Sequence, residues 1–575
     1  MVRRRGAFTL PKSLGGSLSQ FTLGWVALFC AGVFWREQTL VIVCLMLGQY
    51  GPRNSTIDLA AMTSSPQFHS LGDQLGSNGK HRRGWIYDAL GVQPIINCAG
   101  TRSSFGGSNP MPIVEQAMKA AGEAFVDMDE LAEGVGRYIA QLTGAEWGVV
   151  TAGSVAALAL ATAACIAGNE PIAMTRLPKS DGLKNRVLIP RAHRFPYDSV
   201  IGAVGAELIP FDSLEDLTAL AESACMICLL GRAESADSEI SLEAIRERVG
   251  HIPIVVDAAG LSPGKPDPWL SRGATLAIYS GGKYLRGPQS TGLLIGSEQL
   301  ARAAWANGPP HLSFGRAMKV GKEEIVGAVV ALEAWLTPSL RTKDENQWLQ
   351  LLRTIASNLS PDLFRVSMQP STWSVLTPRL RVHWVDERIF ADEIIARMLR
   401  DFRIQLPDFC SGENVVLIDP FNILDDEQAR LVARSLNTLL RELQSEIENA
   451  PDGPNVNEFF SGLWSSVMNF AGRVEEHAME LMQEGATISG HYRGNVFDGS
   501  ITGFAIGNEL CLVAKHQADQ IEVYYCFEGR LREGVIAGLA RLGAATPELR
   551  SPSLCKQFGN AAWTARSRSK PQRSA

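Results

Sequence analysis

The chain has 575 residues, 46% hydrophobic and 20% charged, with a net charge of −6. That length exceeds one compact core and points to about three or four domains, while the acidic balance and the absence of a long basic block exclude a surface built for nucleic acid. Ten cysteines scattered over the whole length lack the dense spacing of a secreted disulfide scaffold, so a reduced, cytoplasmic protein handling small molecules is expected.

Residues 1–82 read as an apolar, poorly ordered extension. Phe21 to Trp35 is apolar, Arg36-Glu37-Gln38 interrupts it, and Thr39 to Leu47 resumes it; neither piece reaches the roughly 20 residues of a spanning helix. Arg3, Arg4 and Arg5 before an apolar stretch imitate a signal peptide without its small-residue cleavage pattern. Three readings stay open: a membrane anchor over 21–47, a degenerate signal, and a translated upstream stretch with initiation near Met62. Membrane contact follows only from the first.

From 83 to 340 strand-like apolar runs alternate with helical segments, the pattern of an α/β domain with a mainly parallel sheet. Strands are expected at 148–151, 186–190, 207–210, 225–230, 252–256 and 276–280, with 292–296 returning antiparallel, and helices at 155–166, 196–205 and 323–336. Cys225 and Cys228 lie three apart on one of these strands, which places them on opposite faces as core thiols rather than metal ligands; no metal site is expected. Residues 341–450 form a small α/β lobe, with strands at 380–384 and 415–418 and helices at 391–399 and 426–446. Pro451 to Pro454 marks a linker. Residues 455–565 read as a helix near 458–483 followed by a small antiparallel β barrel or sandwich, a binding or oligomer-shaping accessory domain, and 566–575 as a disordered basic tail.

Chemistry concentrates in the large domain. Lys283 sits in the glycine-rich loop of Y-S-G-G-K-Y-L-R-G-P-Q-S-T-G, straight after the run ending at Ser280, and Asp257 ends the preceding apolar run. A lysine can form a Schiff base with an aldehyde cofactor and an aspartate can keep a pyridine nitrogen protonated, so the pair suggests pyridoxal 5′-phosphate. The ends of parallel strands share one edge, where ligands bind. Gly153, Ser154 and Val155, between a strand and a helix, offer amides to the phosphate, with Ser280 as a further contact. His193 follows the next strand and can lie flat on the ring, with Tyr197 and Asp198 on the same wall. Thr101 and Arg102 precede the domain, and Arg316 and Lys319 precede its last helix; these would read the substrate, the cations holding a carboxylate or phosphate.

With I-I-N-C-A-G-T, L-T-G-A-E-W-G-V-V-T-A-G-S, H-R-F-P-Y-D, V-V-D-A-A-G, the lysine loop and G-R-A-M-K-V-G-K-E-E in this order, Pro94 to about Leu440 resembles the selenocysteine synthase-like family of fold-type I pyridoxal-phosphate enzymes. That family includes L-seryl-tRNA(Sec) selenium transferases and D-glucosaminate-6-phosphate ammonia-lyases. The resemblance implies Lys283 as the Schiff-base lysine, Asp257 as the pyridinium partner, a large domain plus a small lobe, and a homo-oligomer. Gly282 stands where the selenium transferases usually carry aspartate, and Lys319 where they carry a second arginine. The expected activity is therefore a lyase or transferase reaction on an amino acid or amino sugar, by α,β-elimination as in the ammonia-lyases. The alternatives are selenium transfer to seryl-tRNA, and an inactive scaffold whose C-terminal domain is the working binder.

Overall fold

The computed structural model describes residues 84–386, 388–389, 391–407, 414–448, 460–470, 472–494, 498–518, 521–532, 534–545 and 559–568. The apolar N-terminal runs, the linker Pro451–Pro454 and residues 569–575 lie outside them. Among the described residues no helix is long and apolar enough to cross a membrane. All elements below belong to the unit Leu90–Ala575.

A short strand β1 (Ile96–Asn97) and helices α1 (Pro112–Gly122) and α2 (Met128–Thr143) lead into β2 (Trp147–Thr151) and α3 (Ser154–Ala167). β3 (Arg186–Pro190), β4 (Glu207–Phe211), β5 (Ala224–Leu230), β6 (Ile254–Asp257), β7 (Leu276–Ser280) and β8 (Gly292–Gly296) follow, then α4 (Glu298–Asn307) and α5 (Lys322–Leu336). The sheet order is β2-β8-β7-β6-β5-β3-β4. Only β8 runs against its neighbours in this sheet. The central strands read as unbroken apolar runs because both faces are covered: α1, α2 and α5 pack on one, α3 and α4 on the other. Alanine at half the positions of α3 lets that helix lie close on the sheet, and it is buried along nearly its whole length.

One expectation fails on this sheet. Pairing of β3 with β5 slips at Arg186/Val187, leaving Cys225 as the extra residue of a bulge. The bulge turns Cys225 into the same core as Cys228, where simple alternation put them on opposite faces. Both are buried free thiols.

The small lobe comprises α6 (Pro338–Asn358), β9 (Phe364–Gln369), β10 (Arg379–Trp384), α7 (Ala391–Phe402), β11 (Ile404–Gln405), β12 (Val415–Ile418) and α8 (Asp426–Glu448). Its antiparallel sheet runs β12-β10-β9. β1 pairs with β11, and Cys98 is buried in this lobe's core, so residues 96–98, assigned by sequence to the large domain, belong to the small lobe.

The C-terminal strands β13 (Gly462–Phe470), β14 (Arg473–Glu484), β15 (Thr487–Arg493), β16 (Asp498–Ile506), β17 (Glu509–Ala518), β18 (Ile521–Arg532), β19 (Val535–Ala545) and β20 (Gly559–Ser567) close into a barrel in chain order. Among the described residues of 458–483 there is no helix: the stretch expected to be helical holds β13 and most of β14, whose alternate residues Trp464, Met468, Met479 and Leu481 fill the barrel. Closure needs glycine where strands coil together. A Cβ on Gly490, Gly503 or Gly538 would lie 1.9, 1.9 or 1.8 Å from a carbonyl oxygen of the adjacent strand.

Candidate active site

Parallel strands end on one edge of a sheet, and there Asp257 closes β6, Ser280 closes β7 and Thr151 closes β2. Alternation carries Val149, Val255, Leu276 and Ile278 into the core beneath α3. The next residue in each series, Thr151, Asp257 and Ser280, therefore points to that same face at the edge. Gly292 pairs with both Thr151 and Ser280, so the turn before α3 and the lysine loop flank a single residue. A side chain there is barred: a Cβ on Gly292 would sit 2.4 Å from the carbonyl carbon of Gly153.

Charges at this edge are set by burial. The side chain of Lys283 forms no hydrogen bond or ion pair among the described residues; burial lowers its pKa, Asp257 opposes that, and the cation of Arg232 adds to it. Asp257 is buried and accepts from Ala259 N–H at 3.0 Å, while its second oxygen meets no donor among the described residues. Burial raises its pKa against the pull of the Ala259 amide and of Lys283. His193 is 6% exposed, and its Nδ1 accepts from Leu230 N–H at 3.3 Å. Leu230 is the register partner of Asp257, which holds the imidazole one strand away from the carboxylate. Burial pushes the His193 pKa down to about 4, so the ring is neutral and carries its remaining proton on Nε2.

α3 starts behind Gly153, whose φ is +88, a left-handed setting that favours glycine. Nothing lies within 4 Å of where its Cβ would be, and no side chain caps the helix. The amides of Ser154 and Val155 thus stay free for an anion. Free helix amides, a neutral imidazole, a buried carboxylate with an uncommitted oxygen and an unpaired lysine match the phosphate, ring face, pyridine nitrogen and aldehyde of pyridoxal phosphate. The residues fit the group.

The segment carrying Thr101 and Arg102 does reach this edge. Ser108 Oγ donates to Gly282 O at 3.0 Å, and Asn422 Nδ2 donates to Gly100 O and Gly107 O, both at 2.9 Å. Large domain, leading segment and small lobe therefore meet at the lysine loop. Tyr197 is exposed and only edge-on to Phe195, while Asp198 is spent on Arg194 and the Phe195 amide. Neither is drawn into the group around Lys283. The side chains of Arg316 and Lys319 form no ion pair or hydrogen bond among the described residues. Ser108, Asn422 and Arg232 are absent from the sequence reading. Only Arg232 had a signal there, since Gly231-Arg232 comes straight after the apolar run of β5 as Asp257 comes at the end of that of β6.

No family profile matches the chain. D-glucosaminate-6-phosphate ammonia lyase of Salmonella typhimurium is 28% identical over 369 residues, 61% of this chain and 96% of that protein. The 5′-C-glycyluridine monooxygenase-decarboxylase of a Streptomyces species is 26% identical over 410 residues, 67% of this chain and 98% of that protein. A solved structure of D-glucosaminate-6-phosphate ammonia-lyase superposes with a TM-score of 0.54 at 26% identity, covering 62% of this chain and 98% of the other.

Proposed function

We propose that this member of the fold-type I pyridoxal-phosphate enzyme superfamily is a lyase that takes an α-proton and a β-leaving group from an amino acid or amino sugar acid and releases ammonia. The observation that carries the reading is the placement of Lys283, Asp257 and His193 on one sheet edge beside the open N-terminus of α3. The ammonia-lyase relative supports the reaction class.

The cofactor, when bound, supplies an electron sink for charge developing at the substrate α-carbon. Lys283 holds it between turnovers. Its ε-amine, when free of the cofactor, would take the α-proton, a task suited to an amine whose basicity burial has lowered. Asp257 keeps the pyridine nitrogen protonated from a buried position where its charge is little screened. His193 would lie against the ring face and, being neutral, would not compete for that charge. Ser154 and Val155 amides, with Ser280, hold the phosphate, and Thr101, Arg102, Arg316 and Lys319 receive the polar remainder of the substrate. A homo-oligomer in a reducing cytoplasm belongs to the same proposal, the free cysteines of the described residues agreeing with it. Selenium transfer has less support, because a side chain at position 282 would put its Cβ 2.5 Å from Gln289 Cα.

The test is ammonia and keto-acid release from D-glucosaminate 6-phosphate and a panel of amino acids, with oxygen uptake followed in parallel. Ammonia without oxygen consumption is expected. Oxygen consumption with loss of carbon dioxide would replace the lyase reading by the chemistry named for the Streptomyces relative.

A further inference from the structure

A second cavity opens where the large domain meets the small lobe. Its volume is about 540 Å³, within the roughly 300–1,000 Å³ of small-molecule sites. Leu261, Trp269 and Trp335 form its floor, and all three belong to the core on the α5 face of the sheet. Asp257 and Ser280 point to the opposite face, under α3, and neither Lys283 nor Asp257 nor His193 borders this space. The far wall is the small-lobe turn between β9 and β10, which contributes Thr372, Trp373 and Leu376.

The floor is held rigidly. Arg272 donates to Glu234 at 2.6 and 2.7 Å and to Glu243 at 2.6 and 2.9 Å, and its guanidinium lies 5.2 Å from the Trp269 ring centroid. Trp335 Nε1 donates to Ser262 Oγ at 2.7 Å. The rim is less committed. Arg341 and Glu345, one turn apart on α6, approach to 3.6 Å through Nε, beyond hydrogen-bond distance. Both terminal nitrogens of Arg341 therefore keep their donors, and the Glu345 carboxylate its acceptors, among the described residues. Trp373 is 60% exposed, and its indole makes no ring contact or hydrogen bond among the described residues.

These features restrict what can enter. Two arginines and two glutamates line the cavity, so a charged ligand finds no uncompensated partner. A purely apolar one would strip water from Arg341 and Glu345 and return nothing. A sugar ring meets both demands. Its C–H face can lie on an indole, and each hydroxyl donates and accepts at once, so neighbouring hydroxyls serve the guanidinium and the carboxylate together. We infer that this cavity binds a neutral saccharide ring, stacked on Trp373 and hydrogen-bonded to Arg341 and Glu345. Such an occupant touches both lobes, tying the turn at Trp373 to α6 and to the floor of the large domain. The inference is independent of the reaction at Lys283.

The test uses the full-length protein loaded with pyridoxal phosphate. Methyl glycosides of glucose, galactose, mannose and N-acetylglucosamine are the probes, with uridine and glucose 6-phosphate beside them, and binding at millimolar concentration is read by saturation-transfer NMR and calorimetry. At least one glycoside is expected to bind. W373A should weaken that binding by about tenfold and R341Q by several-fold, both variants unfolding at the wild-type temperature because both side chains are largely exposed. K283A should bind the glycoside as wild type does; loss of binding there would put the ligand in the catalytic site and overturn the inference. Failure of all four glycosides to bind overturns it, as does binding that W373A and R341Q leave unmoved. Uridine or glucose 6-phosphate binding more tightly than every glycoside, with the same loss in W373A, overturns the saccharide assignment.

Discussion

Leu230 N–H donates to His193 Nδ1, and burial of the ring pushes its pKa from 6.5 down to about 4. The unfolded chain takes a proton below about pH 6.5 and the folded chain only near 4, so the folded state is fully favoured above pH 6.5 and loses stability as pH falls through that window. The loss approaches about 3 kcal/mol. Cofactor-free wild type should therefore lose more thermal stability between pH 7.5 and pH 5 than H193N does; equal losses would show that the ring is free to protonate. Gly282 makes a steric prediction. With its Cβ position 2.5 Å from the Gln289 backbone, G282A should cost about 1–3 kcal/mol in urea unfolding and weaken cofactor binding. Unchanged binding would mean the loop gives way easily. Lys283, Asp257 and His193 were legible because each follows an apolar run whose end fixes its place. Ser108 and Asn422 were not, because they act on carbonyls far away in sequence and nothing local marks them.

Elements of the large domain were read closely: β3, β7 and β8 have the expected bounds, since a strand covered on both faces is a plain apolar run. The barrel's first hairpin was missed for the opposite reason. In β14, A-M-E-L-M-Q-E is made of good helix formers, and only pairing with β13 and β15 selects the extended form. Burial shows the period of two that propensity hides, with His477, Met479, Leu481 and Gln483 all inward. The Cys225 bulge is a similar case, an extra residue that no strand pattern announces. Barrel closure depends on its glycines. G538V would drive a side chain into the Glu528 carbonyl, 1.8 Å from the new Cβ, and should destabilise the barrel by about 1–3 kcal/mol, read as a lower unfolding midpoint of the β-rich circular-dichroism signal. A variant that unfolds like wild type would show that the strands can separate there at little cost.

Across the whole molecule, the relatives align over nearly their full length yet leave a third or more of this chain without a counterpart. The catalytic reading thus rests on the large domain and small lobe, which meet at the lysine loop through Ser108 and Asn422. Within that frame the central claim is a covalent one, that Lys283 and no other lysine carries the cofactor. Borohydride reduction of the loaded protein, followed by peptide mass mapping, tests it without any knowledge of the substrate. The account predicts the pyridoxyl-phosphate mass on the peptide containing Lys283 and on no other; the same mass on a different lysine, or on none, would contradict it.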